Sequence, residues 1–425
     1  MKRTPPIEII EYTIGFLRGE RDALFPCALL CRDLLPYCRS VIWETLVVSM
    51  TEEGLNSPRM VSFVDLLRHS PDIAPCVRSL TINYQRDIYK STRESPQVDA
   101  VVAFSRHLPG LRNLTISKLP SPSLYHLLLV ARRLPTLETL HLYFANLIQH
   151  TSKWPPSAPP LGIVPGQGLT AGSWALRSLS FTGGLRMAEH SDLVSFLEKS
   201  TDIIPLRSFT LRVPSLLTCS EPFMAERRPG VPNFACNLLH FGISVHEILP
   251  LGDVYEGGRE HTRRVFSQLH QCQSLRSLEL QCDCSSFFWL QSNGLYSHQS
   301  SFRLPSFAIA ELAAALSSPG APPCPHLERI SVEVIAPQGW LTDWGKDLAI
   351  LASAVSGSDE EGRKRYPRFA RFRLRSAVLD LIRPGMGQRA MDYARLQREV
   401  KKEDLLVPML EAFTRAGVEA EVDIC

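Results

Sequence analysis

Nowhere along its 425 residues does the sequence have a run of about 18 consecutive apolar residues, so nothing in it is expected to span a membrane. The opening MKRTPPIEII carries basic residues but no apolar stretch ahead of a cleavage site, and no secretory signal is expected. Cysteine is sparse: 11 residues, an odd number, without regular spacing. With no signal, this argues against a disulfide framework and for a reducing, intracellular compartment, cytoplasmic or nuclear. Charge of one sign is also missing. Lys and Arg number 46 against 43 Asp and Glu, a net +3, which supplies no whole-molecule drive toward nucleic acid or an anionic membrane. The HExxH, GxSxG, Walker and C-x-x-C signatures are absent. No catalytic residue, resident metal, cofactor or small-molecule substrate is therefore expected, and the chain does not read as an enzyme.

What is present is ordinary globular composition, 44 % apolar and 21 % charged, together with a repeat. A six-residue pattern, apolar-x-x-apolar-x-apolar, occurs as VRSLTI (77–82), LRNLTI (111–116), LETLHL (137–142), LRSLSF (176–181) and LRSFTL (206–211). It continues as LLHFGI (238–243), LRSLEL (275–280), LERISV (327–332) and FARFRL (369–374). The last two apolar positions alternate with polar ones, which is the period of a strand. Between most of them lies a helical pattern: PQVDAVVAFSRHL (96–108), PSLYHLLLVARRL (122–134), HSDLVSFLEKS (190–200), REHTRRVFSQLHQC (259–272) and PSFAIAELAAALSS (305–318). Strand and helix in alternation imply parallel strands joined by crossovers. Similar strands recurring every 26 to 52 residues favour a solenoid over a doubly wound sheet.

This repeat resembles the leucine-rich repeat family, over residues 77–425. The resemblance implies an α/β solenoid whose strands line one face and hold a partner protein. Family repeats run about 20–29 residues and place Asn or Cys three positions after the last strand Leu. Those positions here are Gln85, Leu119, Ala145, Gly184, Pro214, His246, Asp283, Ile335 and Ala377, so the buried asparagine ladder is missing. An irregular arc with long helices and insertions at 149–174, 214–236 and 281–304 is expected.

Residues 1–48 read differently. In PIEIIEYTIGFL (6–17), Ile7, Ile10, Ile14 and Leu17 fall on one helical face. ALFPCALLCRDLLPYCRSVIWETLVV (23–48) follows, apolar at helical spacing over Leu30, Cys31, Leu34 and Leu35. So small a unit cannot bury this many apolar groups alone and should dock against a partner, the repeats, or both. It resembles an F-box, in the match of Pro6, Glu8, Ile9, Leu17, Asp22, Leu24, Leu30, Cys31, Arg32 and Trp43 to the family pattern. Pro5 in place of the leading Leu, and Pro26 in the second helix, depart from that pattern. An all-α F-box-like unit ahead of leucine-rich repeats is similar to the substrate receptors of SCF ubiquitin ligases. The resemblance implies a Skp-type adaptor and cullin ligase core bound through Pro6, Ile7, Ile9, Ile10, Ile14, Leu17, Leu24, Leu30, Cys31 and Trp43. It also implies a target protein held by the repeats. Residues 49–76 would then be a linker with a capping helix at 59–70. The alternative is a scaffold whose N-terminal helices only shield the first repeat, as solenoids require.

The remaining motifs are minor. GQGLTA (166–171) fits a dinucleotide pattern but lies in a Pro-rich loop rather than between strand and helix. His270, Cys272, Cys282 and Cys284 flank one strand without the knuckle spacing of a zinc site and read as core cysteines. His190, Ser191 and Asp192 are adjacent and cannot form a triad, so Ser191 or Asp192 reads as a helix cap. In RKRYPRFARFRLR (363–375), Arg371, Arg373 and Arg375 alternate with apolar residues and should face out of one strand. They are the candidate target contacts, suited to a phosphate or acidic peptide, with a nucleic-acid role as a lesser alternative. The competing reading is a solvated face answered by Asp359, Glu360 and Glu361.

Overall fold

The computed structural model describes residues 6–17, 20–30, 32–50, 58–84, 105, 107–119, 134–144, 175–182, 206–212, 237–246, 259, 262–263, 265–283, 307–335, 345–358, 362–377 and 411–424. They fall in two compact units, Met1–Leu185 with Asp202–Pro205, and Arg186–Thr201 with Leu206–Cys425.

The first unit opens with three helices, α1 (Ile7–Phe16), α2 (Arg21–Leu30) and α3 (Leu35–Ile42). Strand β1 (Thr45–Met50), helix α4 (Pro58–His69) and strands β2 (Ser79–Tyr84), β3 (Asn113–Leu119), β4 (Thr139–Phe144) and β5 (Ser178–Thr182) follow. The second unit contains β6 (Ser208–Arg212), β7 (His240–His246), β8 (Ser277–Asp283), α5 (Phe307–Leu316), β9 (Arg329–Ile335), α6 (Gly345–Ser356), β10 (Arg371–Ala377) and β11 (Glu419–Ile424). In each unit the strands pair in parallel, and every strand lies beside its neighbours in chain order. A doubly wound sheet reverses its strand order at a switch point. Neither sheet does, so each is an α/β arrangement compatible with a solenoid.

The repeat is the reason. Its first apolar residue is buried in every copy from Val77 through Leu327, as are the fourth residues from Leu80 to Phe372. The third and fifth residues point the other way. In β5 the burial alternates strictly, with Leu179 and Phe181 inside. The missing asparagine ladder has a backbone substitute. The second-residue carbonyls of Glu44, Arg78, Arg112, Glu138, Arg207, Leu239, Arg276 and Glu328 each accept two N–H groups from the next copy, at 2.8–3.2 Å. Arg78 O thus takes Arg112 N and Asn113 N, and Arg276 O takes Glu328 N and Arg329 N. These otherwise orphaned groups are satisfied without a buried side-chain amide.

The pattern is also longer than six residues. Three positions before the motif stand Ala74, Leu108, Leu134, Cys272, Cys324 and Tyr366, all buried. Their carbonyls accept the N–H of the motif's first residue at 3.0–3.4 Å, closing a tight turn into the strand.

Several boundaries move. WETLVV (43–48) is itself a copy: β1 pairs in register with β2, and Glu44 O accepts Arg78 N and Ser79 N. The sheet therefore begins at Thr45, ahead of the expected start at 77, and takes the first residues of the supposed linker. The 281–304 insertion starts inside β8, which runs to Asp283. Helix α6 had no counterpart in the sequence reading, whereas α4 and α5 match the patterns at 59–70 and 305–318. The 259–272 pattern ends in a 3-10 turn, Gln268–Gln271. The patterns at 122–134 and 190–200, most of 96–108, the insertions 149–174 and 214–236, and residues 388–410 lie outside the described residues. Gly417, just after the last helical turn, has φ +73°. Val418 N donates to Phe413 O and Gly417 N to Thr414 O, a Schellman closure that only a left-handed residue permits without strain.

Candidate protein-interaction surfaces

Helix α1 is apolar on more than one side. Ile14 is buried with Leu24, Cys38 and Ile42, and Leu17, Cys27, Ala28, Leu34, Tyr37, Val41 and Trp43 pack around them. That small core joins α1 and α2 to α3. The other side of α1 carries Ile9, Tyr12 and Phe16, and α2 carries Phe25 and Leu29. All five are 53–87 % exposed. Tyr12 and Phe16 meet edge to face, ring centroids 4.7 Å apart, and so hold each other toward solvent. Pro26 stands inside α2, where it lacks an N–H to donate.

This redistributes the residues expected to touch an adaptor. Ile14 and Leu24 are core, and Leu17 and Trp43 lie against that core, so these four hold the unit together. Pro6 and Ile9 are exposed. Ile7, Ile10 and Leu30 belong to the helices by backbone, and Cys31 lies outside the described residues. Tyr12, Phe16, Phe25 and Leu29 were not singled out from sequence, because a periodicity search rewards one apolar stripe and overlooks a second. The unit is also tied to the first repeat: Arg39 of α3 donates to the Asp72 carboxylate in the turn before β2. Burial and the neighbouring thiol of Cys27 push the Cys38 thiol up, so it stays a neutral core group.

In the second unit the outward residues of β7 to β11 build a charged groove of about 350 Å³. The register aligns them in three rows. The first runs His240, Ser277, Arg329, Arg371, Glu419. The second runs Gly242, Glu279, Ser331, Arg373, Glu421, and the third Ser244, Gln281, Glu333, Arg375, Asp423. Arg371, Arg373 and Arg375 are exposed on the strand, but they have partners. Arg371 Nε donates to Glu419 Oε2 at 3.1 Å. Arg373 donates to Asp423 Oδ2 at 2.9 Å and lies 4.0 Å from Glu421, and Arg375 lies 3.6 Å from Glu333. The carboxylates that answer the row thus come from β11 and β9. Asp359, Glu360 and Glu361, expected in that role, lie outside the described residues. Glu333 also accepts from Gln281 Nε2 at 2.8 Å.

At the other end of the groove, His240 shares a hydrogen bond with Ser277 Oγ through Nδ1 at 3.1 Å. Its Nε2 lies 3.4 Å from Thr210 Oγ1 and 3.6 Å from Glu279 Oε2. Beside it, a Cβ on Gly242 would come within 2.8 Å of the Thr210 methyl, so only glycine fits under that side chain.

The cysteines weighed as ligands have structural places. Cys272 and Cys282 are fully buried, and His270 is exposed, its Nδ1 2.7 Å from Ser267 O. Cys284 lies outside the described residues, as do 166–171 and 190–192. Burial, with Cys272 close by, drives the Cys324 thiol far above its ordinary range. Among the described residues no helix is long and apolar enough to cross a membrane.

Fold and surfaces together define an α/β protein of parallel-strand repeats with a helical unit at one end. Compared with models of known families the chain matches none, and compared with curated proteins it again finds no match.

Proposed function

We propose that the chain is the substrate-recognition subunit of an SCF-type ubiquitin ligase. The helical unit binds a Skp-type adaptor and, through it, the cullin core, while the strand faces hold a target protein. The observation carrying this is the second apolar side of the helical unit: Ile9, Tyr12, Phe16, Phe25 and Leu29, all exposed on two successive helices whose opposite sides already form a core. Large apolar side chains grouped in this way mark an interaction site. Burying each stabilises a complex by about 1.5–3 kcal/mol. Such a receptor needs no chemistry of its own. It raises the effective concentration of target lysines near a charged enzyme.

The test is a pulldown of the full chain with a Skp-type adaptor, beside a variant carrying Ile9→Asp, Phe16→Asp and Leu29→Asp. Because these side chains are exposed, the variant should keep its circular dichroism spectrum and lose at least tenfold in adaptor binding. If the folded wild type captures no such adaptor, the helices are a cap and the protein is a scaffold. One observation favours that second reading: Trp43 packs on the helical core while Glu44 beside it already serves the first strand pair.

A further inference from the structure

Arg329, not the arginine row of β10, is the unanswered charge of the groove. It stands in β9 between Ser277 and Arg371, its register partners on either side. Neighbouring strands are about 4.8 Å apart, so two guanidinium-bearing residues sit directly opposite each other, an arrangement that destabilises a sheet. Arg371 is half relieved by Glu419, which takes its Nε. Arg329 has no ion pair or side-chain hydrogen bond among the described residues. A local rule broken without internal compensation is expected where a ligand supplies the compensation.

The pairing of charges fixes the ligand's size and sign. Four arginines line the groove, Arg329, Arg371, Arg373 and Arg375, and the register rows set five carboxylates among them, Glu279, Glu333, Glu419, Glu421 and Asp423. Arg371, Arg373 and Arg375 each face a carboxylate at 2.9–3.6 Å, and Arg329 does not. One unpaired guanidinium matches one carboxylate. A phosphate dianion or a nucleic-acid backbone would instead bring excess negative charge beside Glu279 and Glu333. The sheet itself displays the mode of recognition: β11, an extended strand, offers Glu419, Glu421 and Asp423 at two-residue spacing to the arginines beside it.

We infer that the groove binds an extended segment of a partner protein bearing one Asp or Glu between neutral residues, its carboxylate bridging Arg329 and the free Nη donors of Arg371, with Ser277 beside it. Fork-shaped guanidinium groups suit a carboxylate for such bidentate contact. This deepens the receptor reading by naming the chemistry of the target. Peptide binding is read without the adaptor, so either idea can fail alone.

The experiment uses the full chain and an array of N-acetylated, C-amidated peptides with neutral Ser, Thr, Ala and Val flanks. Each sequence is made with Glu, Gln or phosphoserine at its centre. A subset of Glu peptides should be retained at least tenfold better than their Gln counterparts. Arg329→Gln should abolish that preference, and Arg329→Lys should restore part of it. Ile9→Asp with Phe16→Asp should leave it unchanged. Because Arg329 is exposed, the thermal midpoint of Arg329→Gln should match wild type. If no Glu preference exists, or if it survives Arg329→Gln, Arg329 is only a solvated arginine and the inference is wrong. If phosphoserine peptides bind tenfold better than Glu peptides, the site takes a dianion and the single-carboxylate assignment falls.

Discussion

The two units are built by the same repeat, yet their outward faces share almost nothing. In the first, the outward rows of β1 to β5 contain no Asp, Glu, Lys or Arg: Thr45, Ser79, Asn113, Thr139 and Ser178 form one, Val47, Thr81, Thr115, His141 and Ser180 the next. In the second, the rows across β8 to β11 are a lattice of arginines and carboxylates. The inward residues and the carbonyl ladder are common to both. The fold therefore depends on alternate positions and the backbone and constrains the remaining positions less, Gly242 beneath Thr210 excepted. The outward residues, which stability restricts less, set the chemistry of each face, and in the second unit they carry charge.

If the interiors are equivalent, removing the same side chain from each should cost the same. Leu140→Ala in β4 and Leu278→Ala in β8 both empty the buried fourth position of the motif. Each should lower stability by about 2–5 kcal/mol, read as a shift in the urea midpoint. A large cost in one unit beside a small one in the other would break the comparison at its base. A smaller effect should separate the units. Glu311 on α5 is buried and accepts Arg259 Nε at 2.8 Å and Arg263 Nε at 3.1 Å, joining that helix to residues 259–263. Its arginines remain 39 % and 51 % exposed, so Glu311→Gln should cost about 1–3 kcal/mol, below the range for a fully buried pair. Burial raises the Glu311 carboxyl, but hydrogen bonds and charge from Arg263 and Arg259 outweigh it and hold the group below its ordinary 4.5. A depressed carboxylate stabilises the fold above that ordinary value and loses the contribution as pH falls through the folded one. In urea titrations the gap between wild type and Glu311→Gln should thus be narrower at pH 3.5 than at pH 7.

The strands were legible because period two needs few residues to show. The turn before each strand was not, although it repeats as faithfully. Ala74, Leu108, Cys272 and Tyr366 do the same job with different side chains, so no letter recurs for the eye to find. The first strand shows in the sequence as a short strand-like run after Trp43, but not as a copy of the repeat. WETLVV begins with a Trp whose ring packs on the helices, and it was read as the end of that unit. The site was half legible. Alternation placed Arg371, Arg373 and Arg375 outward, but their partners on β11 lie 48 to 50 residues away. Only the register shows that the row is answered and that Arg329 is not.

The smallest effect tests whether a neutral face is neutral by design of its neighbours. His141 in β4 has Thr115 and Ser180 as register partners, and no residue on the same face of β3 or β5 is charged. Burial alone lowers its pKa below the ordinary 6.5. A base depressed in this way favours the fold while neutral. Its contribution is complete above 6.5 and is lost as pH falls through the folded value, because protonation then opposes folding. The urea midpoint should therefore fall between pH 7.5 and pH 5.5, and His141→Gln should remove most of that fall. Thr115→Glu would import the second unit's chemistry, placing a carboxylate opposite the ring as Glu279 stands 3.6 Å from His240 Nε2. The new charge should favour the imidazolium and shrink the acid loss. If Thr115→Glu leaves the pH dependence of wild type intact, the neighbouring row does not control the histidine, and the contrast between the two faces is one of composition without electrostatic consequence.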